Sequence, residues 1–195
     1  MRHYLSTLQE IRLLGLKDLP FCWGEIEECG KDPLENARQK ALAYYRICGQ
    51  PVFSQDSGLY IEGLPKERQP GVHVRRVNGV NLTDEQMRKY YKKIAAEFGG
   101  RCVAQYQNAI CLVFSENEIY EARGGTLNWK KFWLMTEERP QRMEGFPLDA
   151  ICADYRTGRH FYDGEATMPE EEGDGVRDFF RNALKQHEMR MGKWI

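Results

Sequence analysis

Residues 51–64 read PVFSQDSGLYIEGL, and this stretch indicates how the chain folds. Two apolar runs flank the polar triplet of Asp56, Ser57 and Gly58, so the pattern predicts a buried strand, a break and a second short strand. A polar break of this kind exposes side chains at the end of a strand. We therefore expect the Asp56 carboxylate to be accessible.

The residues upstream predict a long helix that leads into this strand. Asp32 can accept hydrogen bonds at the N-terminus of the helix, Pro33 fits its first turn, and Glu35 completes an Asp-x-x-Glu variant of the capping box. We expect this helix to end near Cys48.

Three further helices are expected along the chain. Thr83 and Gln86 have the spacing of a capping box and predict a helix that runs to about Phe98, and a last helix begins near Val176. The first segment predicts an amphipathic helix, because four apolar side chains recur there at helical spacing. These four are Tyr4, Leu8, Ile11 and Leu14.

A long hairpin is predicted in the middle of the chain. Residues 103–114 (VAQYQNAICLVF) and 119–124 (IYEARG) are strand-like segments separated by a short polar turn. The sheet is therefore expected to be at least partly antiparallel. Strands and helices alternate over the 195 residues, which favours an α/β fold in a single domain, 1–195.

Composition limits the class of partner. Hydrophobic residues make up 42% and charged residues 29% of the chain, as in ordinary folded proteins. The net charge is −1 with scattered basic residues, which argues against duplex nucleic acid or a membrane as partner. No apolar run has the length of a membrane span, and the amino terminus lacks the pattern of a signal peptide. The six cysteines form no C-x-x-C pair and are typical of reduced thiols, so we expect a cytoplasmic protein.

Three carboxylates stand before or within polar breaks: Glu27 and Glu28 before Gly30, and Asp56 before Ser57. Carboxylates in such places suit Mg²⁺, a hard ion that takes oxygen ligands and bridges substrate phosphates. Exposed acidic residues are also common without any function, so ordinary surface charges are the alternative interpretation.

Asn36 and Lys40 lie four residues apart in the predicted helix and so share one face. A lysine at the rim of a buried face can reach a phosphate group. The alternative is a structural lysine whose stem covers the core while its ammonium extends into water.

Four segments taken together resemble a known family. EECG (27–30), LENARQKA (34–41), SQDSGL (54–59) and PGVHVRR (70–76) follow, in order and spacing, the motifs of the inosine triphosphate pyrophosphatase family. That family typically shows EETG, ENAxxKA, DDSGL and PGxYSAR in these places. The resemblance implies an elongated mixed β-sheet flanked by helices, with two lobes and a central cleft.

The resemblance also implies an activity and its residues. The expected reaction is hydrolysis of deaminated purine nucleoside triphosphates (ITP, dITP, XTP) to the monophosphate and pyrophosphate. Glu28 and Asp56 would hold Mg²⁺, Asp56 would act as general base for the attacking water, and Lys40 would contact the phosphates. Asn36 would also brace its helix, and a homodimer is expected. Substrate contacts are expected from Asn36, Ser57, Gly58, Arg76, Phe146, Asp149 and Arg159.

Several segments depart from the family pattern. GFPLDA (145–150) keeps Phe146 and Asp149 of the family's G-F-G-Y/W-D-P loop but has Leu148 in place of the second aromatic residue. Asp-Phe-Phe (178–180) stands where the family has an S-H-R tripeptide that reads the oxidised purine edge. Arg159 stands in the place of a family lysine.

The amino terminus is a further departure, because Met1 begins at the helix that follows the family's first strand and its T-x-N-x-x-K turn. These departures leave two alternatives open beside the pyrophosphatase. One is a nucleotide-binding relative with weak or no catalysis, and the other is a related hydrolase with an altered nucleotide specificity.

Overall fold

The computed structural model describes residues 5, 11–20, 24, 26–163 and 174–192. These residues combine α-helices with a β-sheet, which confirms the predicted α/β class. The α-helices whose bounds the structure describes are α1 (Pro33–Cys48), α2 (Asp84–Glu97) and α3 (Asp174–Arg190). The strands are β1 (Val52–Ile61), β2 (Arg76–Val77), β3 (Val80–Asn81), β4 (Arg101–Ser115), β5 (Glu118–Arg123), β6 (Phe132–Met135) and β7 (Cys152–Asp154). None of the helices in the described part is long and apolar enough to cross a bilayer.

Helix α1 begins and ends where the sequence predicts. The Asp32 carboxylate accepts hydrogen bonds from the backbone N–H groups of Leu34 and Glu35 at 2.9 and 3.0 Å. Gly49 ends the helix in the left-handed conformation at φ 61°, which glycine adopts without steric cost. One detail differs from the prediction, since the Glu35 carboxylate accepts from the N–H of Lys31 at 2.7 Å and extends the cap by one residue.

Helix α2 is capped as predicted. Thr83 Oγ accepts from the N–H of Gln86 at 3.3 Å, and the Gln86 side chain accepts from the N–H of Thr83 at 2.8 Å. This reciprocal pair is a capping box, which satisfies two N–H groups that have no partner within the helix.

Strands β1, β4, β6 and β7 lie side by side in that order, and β5 also pairs with β4. The predicted hairpin is present: β4 and β5 are antiparallel from Ala109 opposite Arg123 to Ser115 opposite Glu118, with an irregularity after Val113. Strand β4 is also antiparallel to β6, and β6 to β7.

The predicted break at Asp56 is wrong, because β1 runs without interruption through Asp56, Ser57 and Gly58. The neighbouring chain explains this. Leu59 exchanges two backbone hydrogen bonds with Gly71, at 2.9 and 3.0 Å, and a Cβ on Gly58 would lie only 3.1 Å from the Gly71 carbonyl carbon. The glycine therefore marks a close approach of two backbones and not a turn.

The predicted amino-terminal helix is only partly tested. Tyr4 and Leu8 lie outside the described residues, and Leu5 is helical and buried. The prediction is wrong for Ile11 and Leu14, which lie in irregular chain. Burial alternates there with a period of two, so that Ile11 and Leu13 pack on a core cluster while Leu14 is exposed.

The chain divides into two compact units, in agreement with the two lobes that were predicted. The first unit contains Met1–Asp56, Asn108–Leu127 and Pro169–Ile195, and its core gathers around Ile110 and Phe180, with Ala37 and Ala41 of α1 in a smaller cluster. The second contains Ser57–Gln107 and Asn128–Met168, and its core gathers around Tyr91 of α2.

Candidate active site

A single lysine ammonium holds two carboxylates together in the first unit. Lys40 Nζ donates hydrogen bonds to Glu28 Oε1 at 2.9 Å and to Asp56 Oδ1 at 2.8 Å. The side chains of Lys40 and Asp56 are 17% and 14% exposed, whereas that of Glu28 is 46% exposed. Because both carboxylates bind one ammonium, their oxygens converge on one position of the size of a cation. We call these three residues the Lys40 cluster.

The sequence places Lys40 here through helical spacing. Ala37 and Ala41 of α1 are fully buried and fix which side of the helix faces the core. Asn36 and Lys40, four residues apart, then lie on one face, as predicted. The ammonium is bound to two carboxylates and does not extend into water, so the alternative of a structural lysine with a solvated head does not describe it.

Asn36 joins the loop before α1 to strand β1. Its side chain is only 1% exposed, and both ends of its amide are used. Oδ1 accepts from the N–H of Gly30 at 2.8 Å, and Nδ2 donates to Asp56 Oδ2 at 3.1 Å. Asp56 is therefore held by one oxygen to Asn36 and by the other to Lys40, which fixes the orientation of its carboxylate.

Glycine is required at position 30 by the closeness of this contact. A Cβ at Gly30 would lie 2.4 Å from Asn36 Oδ1 and 2.8 Å from the Asn36 backbone nitrogen. Distances below about 3 Å between such atoms are strongly repulsive. The loop can approach α1 this closely only because residue 30 has no side chain.

One contact of the loop was not predicted from the sequence. Gln39 Oε1 accepts from the N–H of Cys29 at 3.3 Å. Asn36, Gln39 and Lys40 thus hold the three consecutive loop residues 30, 29 and 28. The signal for Gln39 was its position three residues after Asn36, which places both side chains on one helical face.

Electrostatics keep the lysine charged. Burial opposes the ammonium form of Lys40, but hydrogen bonds and attraction from Asp56 and Glu28 outweigh burial and raise the pKa of Lys40. When both carboxylates are ionised, the cluster has one more negative than positive charge. Such a site suits a further cation, or a water molecule that must lose a proton.

The residues fit Mg²⁺ as ligands. Within the described residues no group of three or more His, Cys, Asp or Glu side chains forms a complete metal site. Two convergent carboxylates are nevertheless what Mg²⁺ commonly takes from a protein, because water molecules and substrate phosphates supply its remaining ligands.

Four of the predicted site residues, Glu28, Asn36, Lys40 and Asp56, are thus brought together. The other six belong to the second unit. Phe146 is 57% exposed, and the Asp149 carboxyl is half-buried, so that burial raises its pKa. Gly58 is buried, whereas Ser57, Arg76 and Arg159 are exposed. Arg159 Nη2 donates to the carbonyl of Asp163 at 2.7 Å, and Arg76 Nε donates to Asn81 Oδ1 at 3.4 Å.

Comparison with known sequences decides the family. The sequence model of the Ham1 family matches residues 1–130, a range that contains Glu28, Asn36, Lys40 and Asp56. The chain belongs to the Ham1 family. Phe146, Asp149 and Arg159 lie beyond the matched range, in the half of this Ham1 chain where the motifs are weaker.

Curated relatives of this Ham1 chain are named dITP/XTP pyrophosphatases. The protein of Brucella melitensis is 31% identical over 160 residues, which cover 76% of this chain and 66% of the relative. That of Geobacter sulfurreducens is 42% identical over 73 residues, which cover 37% of this chain and 35% of the relative. The chain thus spans between about a third and two thirds of the length of the curated relatives it matches. These relatives confirm the resemblance to the inosine triphosphate pyrophosphatase family.

Solved Ham1 structures confirm the fold. The Ham1 protein of Staphylococcus aureus superimposes with a TM-score of 0.60 at 22% identity, covering 98% of this chain and 92% of that one. A HAM1 protein from Coxiella burnetii gives a TM-score of 0.61 at 25% identity, covering 98% and 94%.

Proposed function

We propose that this chain is a nucleoside triphosphate pyrophosphatase that hydrolyses deaminated purine nucleotides such as ITP, dITP and XTP. Water attacks the α-phosphorus, the bond from this phosphorus to the bridging oxygen of the β-phosphate breaks, and nucleoside monophosphate and pyrophosphate are released. The observation that carries the proposal is the Lys40 cluster, in which a fixed carboxylate and an ammonium lie side by side. The names of the curated relatives support the same reaction.

Asp56 acts as the general base in this proposal. Asn36 donates a hydrogen bond to one oxygen of Asp56 and so holds the carboxylate in place, and a water beside the carboxylate is positioned for in-line attack and gives up its proton to Asp56. Lys40 contributes positive charge where negative charge develops on the phosphates. Glu28 and Asp56 are the proposed ligands of Mg²⁺, which when bound would polarise the phosphoryl oxygens and neutralise their charge.

We assign recognition of the nucleotide to further residues. The exposed ring of Phe146 is available to stack on a base. Leu148, in place of the family's second aromatic residue, is 3% exposed and belongs to the core of its unit, so it offers no second stacking surface. The other proposed substrate contacts are Asn36, Ser57, Gly58, Arg76, Asp149 and Arg159.

A second candidate is the same hydrolysis with a broader choice of base. At the position of the family's S-H-R tripeptide, Phe180 is 3% exposed and packs edge-on against Phe53 at 5.0 Å, while Asp178 pairs with Arg181 at 2.7 Å. None of the three residues at 178–180 (Asp-Phe-Phe) has a positively charged donor that could read an oxidised purine edge. A site without such donors discriminates less between bases, by about 1–3 kcal/mol for each lost hydrogen bond.

The experiment measures pyrophosphate release from dITP, XTP, dGTP, dATP and dUTP with Mg²⁺. The wild-type chain is compared with Asp56→Asn and with Asp84→Asn, a matched change of an exposed carboxylate at the start of α2 that pairs with Arg75. The proposal expects turnover in the wild type and in Asp84→Asn and loss in Asp56→Asn. Equal turnover in both variants would exclude Asp56 as the base.

The profile over the five nucleotides separates the two candidates. Preference for dITP and XTP supports the first, and similar rates on dGTP and dATP support the second. Binding of all nucleotides without any pyrophosphate release would leave only the alternative of an inactive relative.

We further propose that the chain forms one domain, assembles as a homodimer and works in the cytoplasm. The free state of all the cysteines in the described part, Cys29, Cys48, Cys102, Cys111 and Cys152, supports a reducing compartment. Sedimentation equilibrium over a range of concentrations tests the dimer.

A further inference from the structure

We propose that the Lys40 ammonium holds the position between Glu28 and Asp56 that a divalent cation would take, and leaves both carboxylates when such a cation binds them. This inference rests on the metal site of the proposed function and goes beyond it. Lys40 and the metal are alternative occupants of one position, so the lysine becomes available to a phosphate only when the metal is in place.

The geometry of the Lys40 cluster carries the inference. Lys40 Nζ lies within 2.9 Å of Glu28 Oε1 and 2.8 Å of Asp56 Oδ1. A divalent ion that takes the same two oxygens lies at about 2.0–2.1 Å from each in the case of Mg²⁺. An ammonium at hydrogen-bond distance from the same two oxygens would lie close to this ion, and two cations so close together repel each other strongly.

The fixed and the movable parts of the cluster are clearly divided. The second Asp56 oxygen is bound to Asn36, whose side chain is buried and also bound to Gly30, so Asp56 keeps its place when Lys40 leaves. Lys40, in contrast, ends a flexible chain of four methylene groups, and the ammonium can swing away from the carboxylates while the backbone of α1 stays in place.

The consequence is that Lys40 weakens metal binding in the absence of nucleotide. Each metal ion that binds must break two ion pairs, of which one is largely shielded from solvent. Removal of the ammonium is expected to tighten metal binding about tenfold, a change that corresponds to about 1.4 kcal/mol.

The test measures binding of Mn²⁺ alone, without nucleotide, by the electron paramagnetic resonance signal of the free ion, with Mg²⁺ as competitor. Lys40→Met keeps the apolar stem and removes the charge. Arg38→Met is the matched control, because Arg38 lies on the same helix but is directed to Glu121 at 3.6 Å. We expect tightening of about tenfold in Lys40→Met and less than about twofold in Arg38→Met. Equal affinities in Lys40→Met and wild type would overturn the proposal.

Two further measurements locate the effect. The double variant Lys40→Met with Asp56→Asn must lose the gained affinity, and a double variant that binds as tightly as Lys40→Met would place the metal elsewhere and refute the proposal. In the wild-type protein, acetylation of Lys40 measured by peptide mass spectrometry must rise when Mg²⁺ is added, relative to the exposed Lys89. Unchanged labelling would mean that the ammonium stays in place, so this arm works even if the variants fold poorly.

Turnover of dITP is recorded in parallel on the wild type. Tighter metal binding in Lys40→Met without wild-type turnover would refute the proposed function and leave the exchange of cations intact. Turnover without tighter binding would refute the exchange alone.

Discussion

Replacement of Gly30 by alanine tests how the loop before α1 holds the site. The new Cβ would lie 2.4 Å from Asn36 Oδ1 and 2.8 Å from both the Asn36 nitrogen and Glu35 Cβ. The last two atoms belong to a well-capped helix, so the loop must retreat. Retreat breaks the buried hydrogen bond from Gly30 to Asn36, and the loss of such a bond costs about 1–3 kcal/mol.

Activity should fall by more than this loss of stability explains. Glu28 stands two residues from Gly30 and moves with the loop, and a displacement of about 1 Å at a catalytic group can cost about 10²-fold in rate. We expect Gly30→Ala to lower the free energy of unfolding by about 1–3 kcal/mol and kcat/KM for dITP by about 10²-fold. Urea denaturation followed by circular dichroism and pyrophosphate release measure the two effects.

Gly49→Ala at the other end of α1 is the control. Gly49 has φ 61°, and a Cβ added there would meet no neighbour within 4 Å, so alanine costs about 1–2 kcal/mol through backbone strain alone. This variant should lose stability and keep its activity. The reasoning would be refuted if Gly30→Ala kept wild-type activity. It would also be refuted if Gly30→Ala and Gly49→Ala lost the same free energy of unfolding and the same kcat/KM.

Three further predictions follow from the fold. Thr83→Ala removes the capping box of α2 and should lower the free energy of unfolding by about 1 kcal/mol in urea denaturation, whereas Thr83→Ser should not. Burial opposes the charge of Glu118, but hydrogen bonds from His187 and Tyr120 outweigh it and lower the pKa of Glu118. The stability that ionised Glu118 contributes is therefore present in full above the ordinary pKa of glutamate and is lost as pH falls through its lowered pKa. In thermal melts, the melting temperature of Glu118→Gln should fall less steeply at acid pH than that of the wild type. Cys29 is exposed, while burial raises the pKa of Cys111 to about 12, so Cys29→Ser should lose one fast equivalent in thiol titration with an aromatic disulfide and Cys111→Ser none.

Local signals in the sequence predicted the helices well. Asp32 and Thr83 cap their helices through hydrogen bonds to residues two or three positions away, so the sequence alone contains both partners. The face shared by Asn36 and Lys40 followed from helical spacing for the same reason.

The predictions that failed concern residues whose conformation depends on segments far away in the sequence. The polar triplet at Asp56 looks like a break, but its glycine serves a close contact with Gly71, thirteen positions away. Likewise, Ile11 and Leu14 fit a helical period, but in the structure Leu13 and not Leu14 packs beside Ile11 on the core of the first unit. The bond between Gln39 and Cys29 was missed, because helical spacing places Gln39 on the face of Asn36 but does not give the path of the loop that supplies its partner.

The grip of Asn36, Gln39 and Lys40 on residues 30, 29 and 28 has a consequence for changes of chain length. The helix and the loop run in opposite directions, and each contact forms only if the number of residues between Asn36, Gln39 and Lys40 is kept. A single insertion between Asn36 and Lys40 would turn the rest of the helix by about 100°. Lys40 would then face away from Glu28 and Asp56, while Asn36 would keep its hydrogen bonds to Gly30 and Asp56. This stretch of α1 can therefore accept exchanges of side chains on its outer surface, but its length is fixed.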